Sequence, residues 1–574
     1  MRRNNFSENA GRGGRFVGVS TLLAALAIGS IVIVAGCDGC ERSGAGEEFV
    51  AGYNADVFTF GLSADPETLD PTRMSGAPEG RMAFNIFEGL MAPGPTTEGL
   101  DDPSDVVVPG VAEDYDISDD GTVYTFYLRD DAKWSNGDPV TAMDFERSWK
   151  RILTPDFPGD YVKLLHVIKN GADYSEGDLE DWDRVGVESI DDRTLEVTLE
   201  YPTPYFLELV AFYTFYPVPV DLIEEHGTRW TRPENIVSNG AYELTDYRFQ
   251  RDMTLEKNEH YWDADSVDIE EARARIIDDT NAIVNAYRTG TLHYSGASLP
   301  VAQITGLMTH PDFYQEPMLA VYYFRFNVSD EDHPLTEPKV RRALAKSLDR
   351  RSLVEDTMNN LYEVADGYVP PMPEWESTAD APEYDPERAR ELMAEAGYDD
   401  PSELPEFEFL YNTDEDHKLI AEASQAMWSR NLGIDVTLVN KEWRTYLQDV
   451  TTLNYEAARA GWIGDYNDPM TFLELWETGN GNNNTGWSDE EYDQLLDDAR
   501  NEADPERRLE YLQDAEEIAL NRGPIIPIYY YSNNILVSRY IDGFEPHNRD
   551  IHLLKYMSLR DEPQRNLTAG SDST

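Results

Sequence analysis

The only two cysteines in the 574 residues are Cys37 and Cys40, and both lie near the N-terminus. The long remainder of the chain therefore has no disulfide and no thiol chemistry to rely on. It must be held by an apolar core and by hydrogen bonds alone. The composition allows this, with 41% hydrophobic and 11% aromatic residues, which argues against global disorder. The length suits two to four domains or one large two-lobed body.

Strand and helix patterns alternate along the whole chain. "TVYTFYL" (Thr122–Leu128) and "TLEVTLE" (Thr194–Glu200) alternate like half-buried strands. "DPERARELMAEAGYD" reads as a helix with Asp385 as N-cap, Pro386 in the first turn and Gly397 as its stop. Residues 488–523 read as two amphipathic helices broken near Pro505, the second closed by Gly523, and "IIPIYYYSNNILVS" returns to strand. No repeat of 20 to 50 residues is present. The expected class is α/β or α+β, and no internal linker marks a domain boundary.

Residues 1–36 read as a targeting segment: four arginines precede the apolar stretch "FVGVSTLLAALAIGSIVIVAG", and Cys37 follows at once. "VAGC" resembles a lipobox, at which the chain is cut before a diacylated cysteine. A transmembrane anchor is the alternative, since the stretch is long enough to span. The small residues beside Cys37 and the polar "DGCERSGAGEE" after the apolar stretch favour lipidation at Cys37. Residues 37–55 then read as a flexible tether.

The formal charge is −63, from 47 basic and 110 acidic residues spread along the chain. Such a surface repels phosphate backbones, so nucleic acid is excluded as a partner. No motif for a serine hydrolase elbow, a zinc protease, a phosphate loop or a dinucleotide fold occurs. The nine histidines are scattered, and no metal or cofactor is expected. "DISDDG" (Asp116–Gly121) opens like a calcium loop, but Tyr127 stands at the twelfth position, so a turn before a strand is expected. A hydrolase built on two carboxylates stays open as an alternative, because the sequence selects no pair among so many. What stands out is aromatic residues beside glycines and single charges, as in "AGWIGDYNDP". Such a Gly-Trp-Ile-Gly run offers bare backbone to which an extended chain can pair, and Tyr and Trp suit a site shared with water.

Long blocks in a fixed order carry a resemblance. They are "DPETLDP" (65–71), "FEGL" (87–90), residues 110–151, "SNGAYELTDY" (238–247), "VRRALAKSLDR" (340–350), "AGWIGDYNDPMTF" (460–472) and "IPIYYYSNNILV" (526–537). From about Phe58 to Tyr556 the chain resembles the oligopeptide-binding proteins of bacterial ABC importers, extracellular solute-binding family 5. Relatives bind peptides, nickel complexes or sugars; "LGIDVTLVNKEW" and "IYYY" point to the peptide branch.

The resemblance implies a non-enzymatic periplasmic lipoprotein, expected to be a monomer, that hands short peptides to a permease and ATPase complex. The implied fold is α/β, two-lobed, of the type II periplasmic-binding-protein kind with an extra domain. One lobe would comprise 56–87, 214–319 and 532–562, the extra domain 88–213, the second lobe 320–531, and a disordered tail 563–574. A peptide would lie between two short backbone edges, Ser75–Ala77 (with Gly76) and Gly461–Ile463 (with Trp462). Asp465 falls at the position that pairs with the peptide α-ammonium. Tyr161, Trp443 and Trp462 match wall positions, with Tyr529 to Tyr531, and Tyr531 in particular, nearby. Of the basic residues that relatives offer to the peptide carboxylate, Arg459 and His417 remain, while Val450 and Met358 stand uncharged at two further positions. Ala320 and Ile463 stand where some relatives have a disulfide. Affinity is therefore expected to depend strongly on a free N-terminus and less evenly on peptide length.

Overall fold

Two long strands, Phe313–Phe326 and Ile525–Leu536, run antiparallel through the middle of the protein. In the computed structural model, residues 57–94 and 107–560 are described, apart from Glu374, Glu376, Asp380 and Pro546. The targeting segment, Cys37, the tether and the C-terminal tail lie outside the described residues.

The two strands change character halfway along. Phe313–Pro317 pairs with Ser532–Leu536, the register then slips, and Val321–Arg325 pairs with Ile525–Tyr530. The first half of Phe313–Phe326 is partly exposed and the second half is buried throughout. Its sequence explains this: "FYQEP" mixes polar and apolar residues, whereas "LAVYYFRF" is almost continuously apolar, as a strand covered on both faces must be. Side chains then alternate between two cores. Val321 and Tyr323 enter one, and Tyr322, Phe324 and Phe326 enter the other.

These strands belong to a six-stranded mixed sheet in the order Glu363–Val364, Ile525–Leu536, Phe313–Phe326, Ala457–Ile463, Phe407–Asn412, Val436–Lys441. Helices cover both faces. On one face lie Pro338–Lys346, Pro386–Glu395 and Glu415–Leu432, where the indole of Trp428 packs on Phe324 and donates to the Leu344 carbonyl at 3.1 Å. On the other, Tyr323 meets Tyr368 and Trp476, in the same core as Glu490–Asn501 and Pro505–Arg522. The helix ends follow local chemistry. Asp385 accepts the Arg388 N–H, Pro386 occupies the first turn, and Gly397 lies just beyond the last turn at φ +98°. Gly523 ends the helix that starts at Pro505.

A separate four-stranded sheet is also present. Its order is Phe58–Leu62, Glu271–Ile276, Asp252–Lys257, Tyr242–Arg248, with only the first pair parallel. A second, fully antiparallel sheet (Ala112–Ile117, Val123–Leu128, Thr194–Thr198, Val187–Asp191) is built from the chain inserted between Leu62 and Tyr242. The loop 118–122 in this sheet is a turn before a strand, with Asp120 accepting from Ser118 and Thr122. No cluster of metal-binding type occurs among the described residues. Among those residues, too, no helix is long and apolar enough to cross a membrane.

Tyr294 links the first sheet to the crossing pair, bridging Phe60 on one side and Val537 on the other. The backbones come very close here. An added Cβ on Gly296, which holds φ +60°, would sit 2.1 Å from the Gly61 carbonyl oxygen. Gly296→Ala therefore combines an unfavourable backbone region with a backbone clash. We expect it to destabilise the protein by about 3 kcal/mol in chemical denaturation.

Candidate functional site

A cavity of about 660 Å³ lies where the four-stranded sheet and its insertion meet the edge of the six-stranded sheet. That volume falls within the usual range for a ligand site. One wall is the end of the strand Ala457–Ile463. On one side this strand pairs with Phe313–Phe326 from Ala320↔Ile463 to Phe326↔Ala457. On the other side it pairs with Phe407–Asn412 only at Ala457 and Ala458. The rest of that second edge is therefore free of strand pairing. Gly464 N–H donates to the Leu319 carbonyl on the paired side, while the Arg459 carbonyl accepts from Tyr446 on the other. Strand alternation then directs the N–H and C=O of Gly461 and Ile463 to the unpaired edge. Gly461 matters sterically: its added Cβ would lie 2.9 Å from Tyr531 Oη, so the ring sits there only because no side chain does.

The strand ends in a turn that carries Asp465. Its N–H donates to Thr471 Oγ1 at 2.9 Å, and its carbonyl accepts from Arg549 at 2.6 Å. Arg549 also pairs with Glu208 at 3.2 Å, and Glu208 accepts the Asn467 N–H. Asp468 forms a two-pronged pair with Arg508, Tyr466 stacks on Tyr205 with centroids 4.2 Å apart, and the Trp462 indole donates to the Thr471 carbonyl. The turn after the strand is thus held at Gly464, Asp465 and Asn467 through the backbone and at Trp462, Tyr466 and Asp468 through the side chains.

The Asp465 side chain is the exception. It is 6% exposed. Oδ1 accepts from the Tyr161 hydroxyl at 3.2 Å, and Oδ2 is buried with no hydrogen-bond partner among the described residues. Burial, and then the nearby Glu474, hold its carboxyl well above the ordinary range, and Tyr161 and Arg549 only partly offset this. A buried carboxylate with a free oxygen facing a cavity is a site for a cation. Tyr161 is itself boxed by Phe212 and Tyr213, edge to face at 5.4 and 6.1 Å.

At the other end Arg459 lies buried. Its guanidinium donates through Nε and Nη2 to Asn412 Oδ1 and sits near the rings of Tyr446, Tyr322 and Trp443. No carboxylate pairs with it among the described residues, so its charge is available to an anion. His417 lines the cavity too, but burial, then Arg459, lowers its pKa to about 3. It is therefore neutral at pH 7 and does not supply the second positive charge expected of it.

Other expectations change as well. Ser75, Gly76 and Ala77 line the cavity but form no strand edge. Gly76 is an extended cap residue (φ −100°, ψ 155°), and Ala77 already begins the helix Ala77–Ile86. Val450 and Met358 lie 1% and 0% exposed in apolar clusters and do not reach the cavity. Among the three tyrosines, Tyr529 and Tyr531 face the cavity, while the Tyr530 hydroxyl turns away to the Gly367 N–H. Trp443 and Trp462 line the wall, as expected. Ala320 and Ile463 are direct cross-strand neighbours. Tyr213, Asn412, Glu474 and Arg549 were not singled out from the sequence, where nothing separates them from similar residues elsewhere.

Several buried carboxyls share the raised state of Asp465: burial pushes Glu79 and Glu474 up to about 7, and Asp416 up to about 8. Each binds a proton more tightly folded than unfolded, so each makes folding less favourable as pH rises toward its folded value. The histidines lowered by burial, such as His417, act in the opposite sense, but only below about pH 6.5. The melting temperature of the ligand-free protein should therefore fall from pH 6.5 to pH 8. Asp465→Asn should raise it at pH 8 in a thermal scan.

The chain was compared with known proteins. The family model for bacterial extracellular solute-binding proteins, family 5 (Middle), matches residues 106–484. The oligopeptide-binding protein OppA of Bacillus subtilis is 35% identical, over 89% of this chain and 94% of its own. The crystal structure of the oligopeptide-binding protein OppAIV of Borrelia burgdorferi superposes with a TM-score of 0.83 at 32% identity, covering 88% of this chain and 99% of its own. The murein tripeptide-binding protein MppA of Escherichia coli, 31% identical over 89% of this chain and 99% of its own, also gives 0.83. An unliganded open form of MppA, 32% identical over 88% and 98%, gives only 0.59. The arrangement here is thus unlike the open one.

Proposed function

We propose that this chain, which belongs to the bacterial extracellular solute-binding proteins of family 5, captures short peptides and delivers them to an ABC permease. The observation that carries this is the pairing of Asp465 with a free strand edge. Every unblocked peptide has an ammonium at one end, and the buried Oδ2 of Asp465 lacks a partner among the described residues. Beyond it the backbone of Gly461 and Ile463 can hold an extended chain through main-chain hydrogen bonds, which do not discriminate between side chains. Arg459 then receives the carboxylate. The two charged ends fix polarity, and the backbone supplies contact that tolerates varied sequence.

The two lobes would close around the slip in the crossing strands, near Pro317–Val321 and Tyr530–Ser532. The higher TM-score against one MppA structure than against its open form supports a closed state here. Closure removes water and strengthens the Asp465 ion pair. Contacts made across the cleft include Tyr161 to Asp465, Lys163 to the Thr478 carbonyl and Arg444 to the Pro66 carbonyl. The energy for transport would come from the partner ATPase.

Titration calorimetry with free, N-acetylated and C-amidated versions of one tripeptide tests the reading. N-acetylation should weaken binding by about 3 kcal/mol, over a hundredfold, as expected for a buried charge left unpaired. Equal affinity for free and acetylated peptide would overturn it. Amidation should weaken binding in the native protein, and Arg459→Gln should abolish that difference. The lipid anchor is a separate part of the proposal. Cys37→Ala should move the protein from the membrane fraction to the soluble fraction on cell lysis.

A further inference from the structure

Away from Asp465, three tyrosine rings stand together in the cavity wall. Tyr529 stacks on Tyr362 with centroids 4.3 Å apart and planes 5° apart, and on Tyr322 behind it at 4.7 Å. Tyr531 meets Tyr529 and Tyr362 edge-on at 5.2 and 5.8 Å. Beside these rings the helix Glu415–Leu432 begins, and Asp414 and Asp416 from that start both line the cavity. Asp416 is close enough for its charge to act on the hydroxyls of Tyr362 and Tyr529.

The two carboxylates differ in what they already do. Asp414 is the helix cap, with Oδ1 accepting the N–H groups of Asp416 and His417 at 2.8 and 3.1 Å. Asp416 is 5% exposed. Its Oδ1 accepts one N–H, from Val301, at a marginal 3.5 Å, and Oδ2 has no hydrogen-bond or ion-pair partner among the described residues. Burial, and then Asp414, push its pKa up to about 8, with no cation near enough to counter them. The cavity's three arginines are engaged elsewhere. Arg81 pairs with Asp550, Arg549 holds Glu208 and the Asp465 carbonyl, and Arg459 is fixed on Asn412. The adjacent His417 is neutral.

We propose that this end of the cavity is a subsite for a basic side chain, in which Asp416 and Asp414 receive a lysine or arginine head group against the rings of Tyr362 and Tyr531. Carboxylates supply the charge and the rings of Tyr362 and Tyr531 the cation–π contact, Tyr529 being sandwiched between Tyr362 and Tyr322. The proposal rests on the peptide reading above and narrows it to peptides carrying a basic residue toward their C-terminal half. One ammonium cannot serve both ends. The strand run from Ile463 to Arg459 alone spans about 13 Å, with Asp465 beyond its far end and His417, next to Asp416, beside Arg459. A surface of net charge −63 also raises the local concentration of cationic peptides.

The test is calorimetry of the purified protein, freed of copurified ligand, with tetra-alanine and variants carrying lysine or norleucine in turn at positions two to four. Norleucine keeps the methylene chain and lacks the charge. At one position lysine should bind roughly tenfold tighter than norleucine, the size of one charge-assisted contact. Asp416→Asn, which keeps the shape and removes a buried charge, should bring that ratio to about one without lowering the melting temperature. A ratio near one at every position in the unaltered protein, or a ratio that survives Asp416→Asn, overturns the subsite and leaves the peptide reading standing. A protein that binds none of these peptides overturns both.

Discussion

A carboxylate taken out of water with no cation beside it is an unfavourable arrangement, and the Asp465 side chain is held in that state. Left to itself such a group would rotate to solvent or draw in a counter-ion from the protein. Here neither route is open. The turn is tied at its backbone by Thr471 and Arg549, its flank is locked by Asp468 and Arg508, and Tyr466 is pinned under Tyr205. Arg549, whose charge acts on Asp465, donates to the Asp465 carbonyl and pairs with Glu208. The rigid surroundings thus keep open an interaction that a ligand's ammonium can complete.

The crossing strands make that cavity possible. They run antiparallel through the six-stranded sheet, and their register slips between Pro317 and Val321. Past the slip they are clamped between two apolar cores, with Tyr323 in one and Tyr322 and Phe324 in the other. At their other end they are joined to the four-stranded sheet through Tyr294. Pairing is therefore interrupted between two regions that packing keeps rigid. The neighbouring strand Ala457–Ile463 shares this sheet on one edge and leaves the other to the cleft.

The acidity of the chain has two separate meanings. Most of the 110 acidic residues coat the surface, where charge is solvated and contributes little to stability. A small number are shielded from water, among them Asp416 and Asp465 in the cavity wall and Glu79 and Glu474 outside it. Each carries a raised pKa because burial disfavours the ion more than its hydrogen bonds favour it. Charge that merely coats the outside thus differs physically from charge held in reserve at the cleft, although both are written with the same letters.

The sequence by itself determined what depends on neighbours along the chain. The helix from Pro386, with its Asp385 cap and its glycine stop, was legible from local hydrogen bonding, as were the helix break near Pro505 and the turn at 118–122. The stretch "AGWIGDYNDP", where glycines and aromatics surround Asp465, lines the cavity in part. Only the tertiary structure decided which faces look inward. It placed Val450 and Met358 in the core, turned Tyr530 away while Tyr529 and Tyr531 face the cleft, and made Ser75–Ala77 a helix start instead of a strand edge. It also neutralised His417 and left Asp416 Oδ2 without a partner among the described residues. The reason is physical: burial, ionisation and unpaired backbone depend on residues brought together from distant parts of the chain, and no local pattern records which of 110 acids will meet water and which will not.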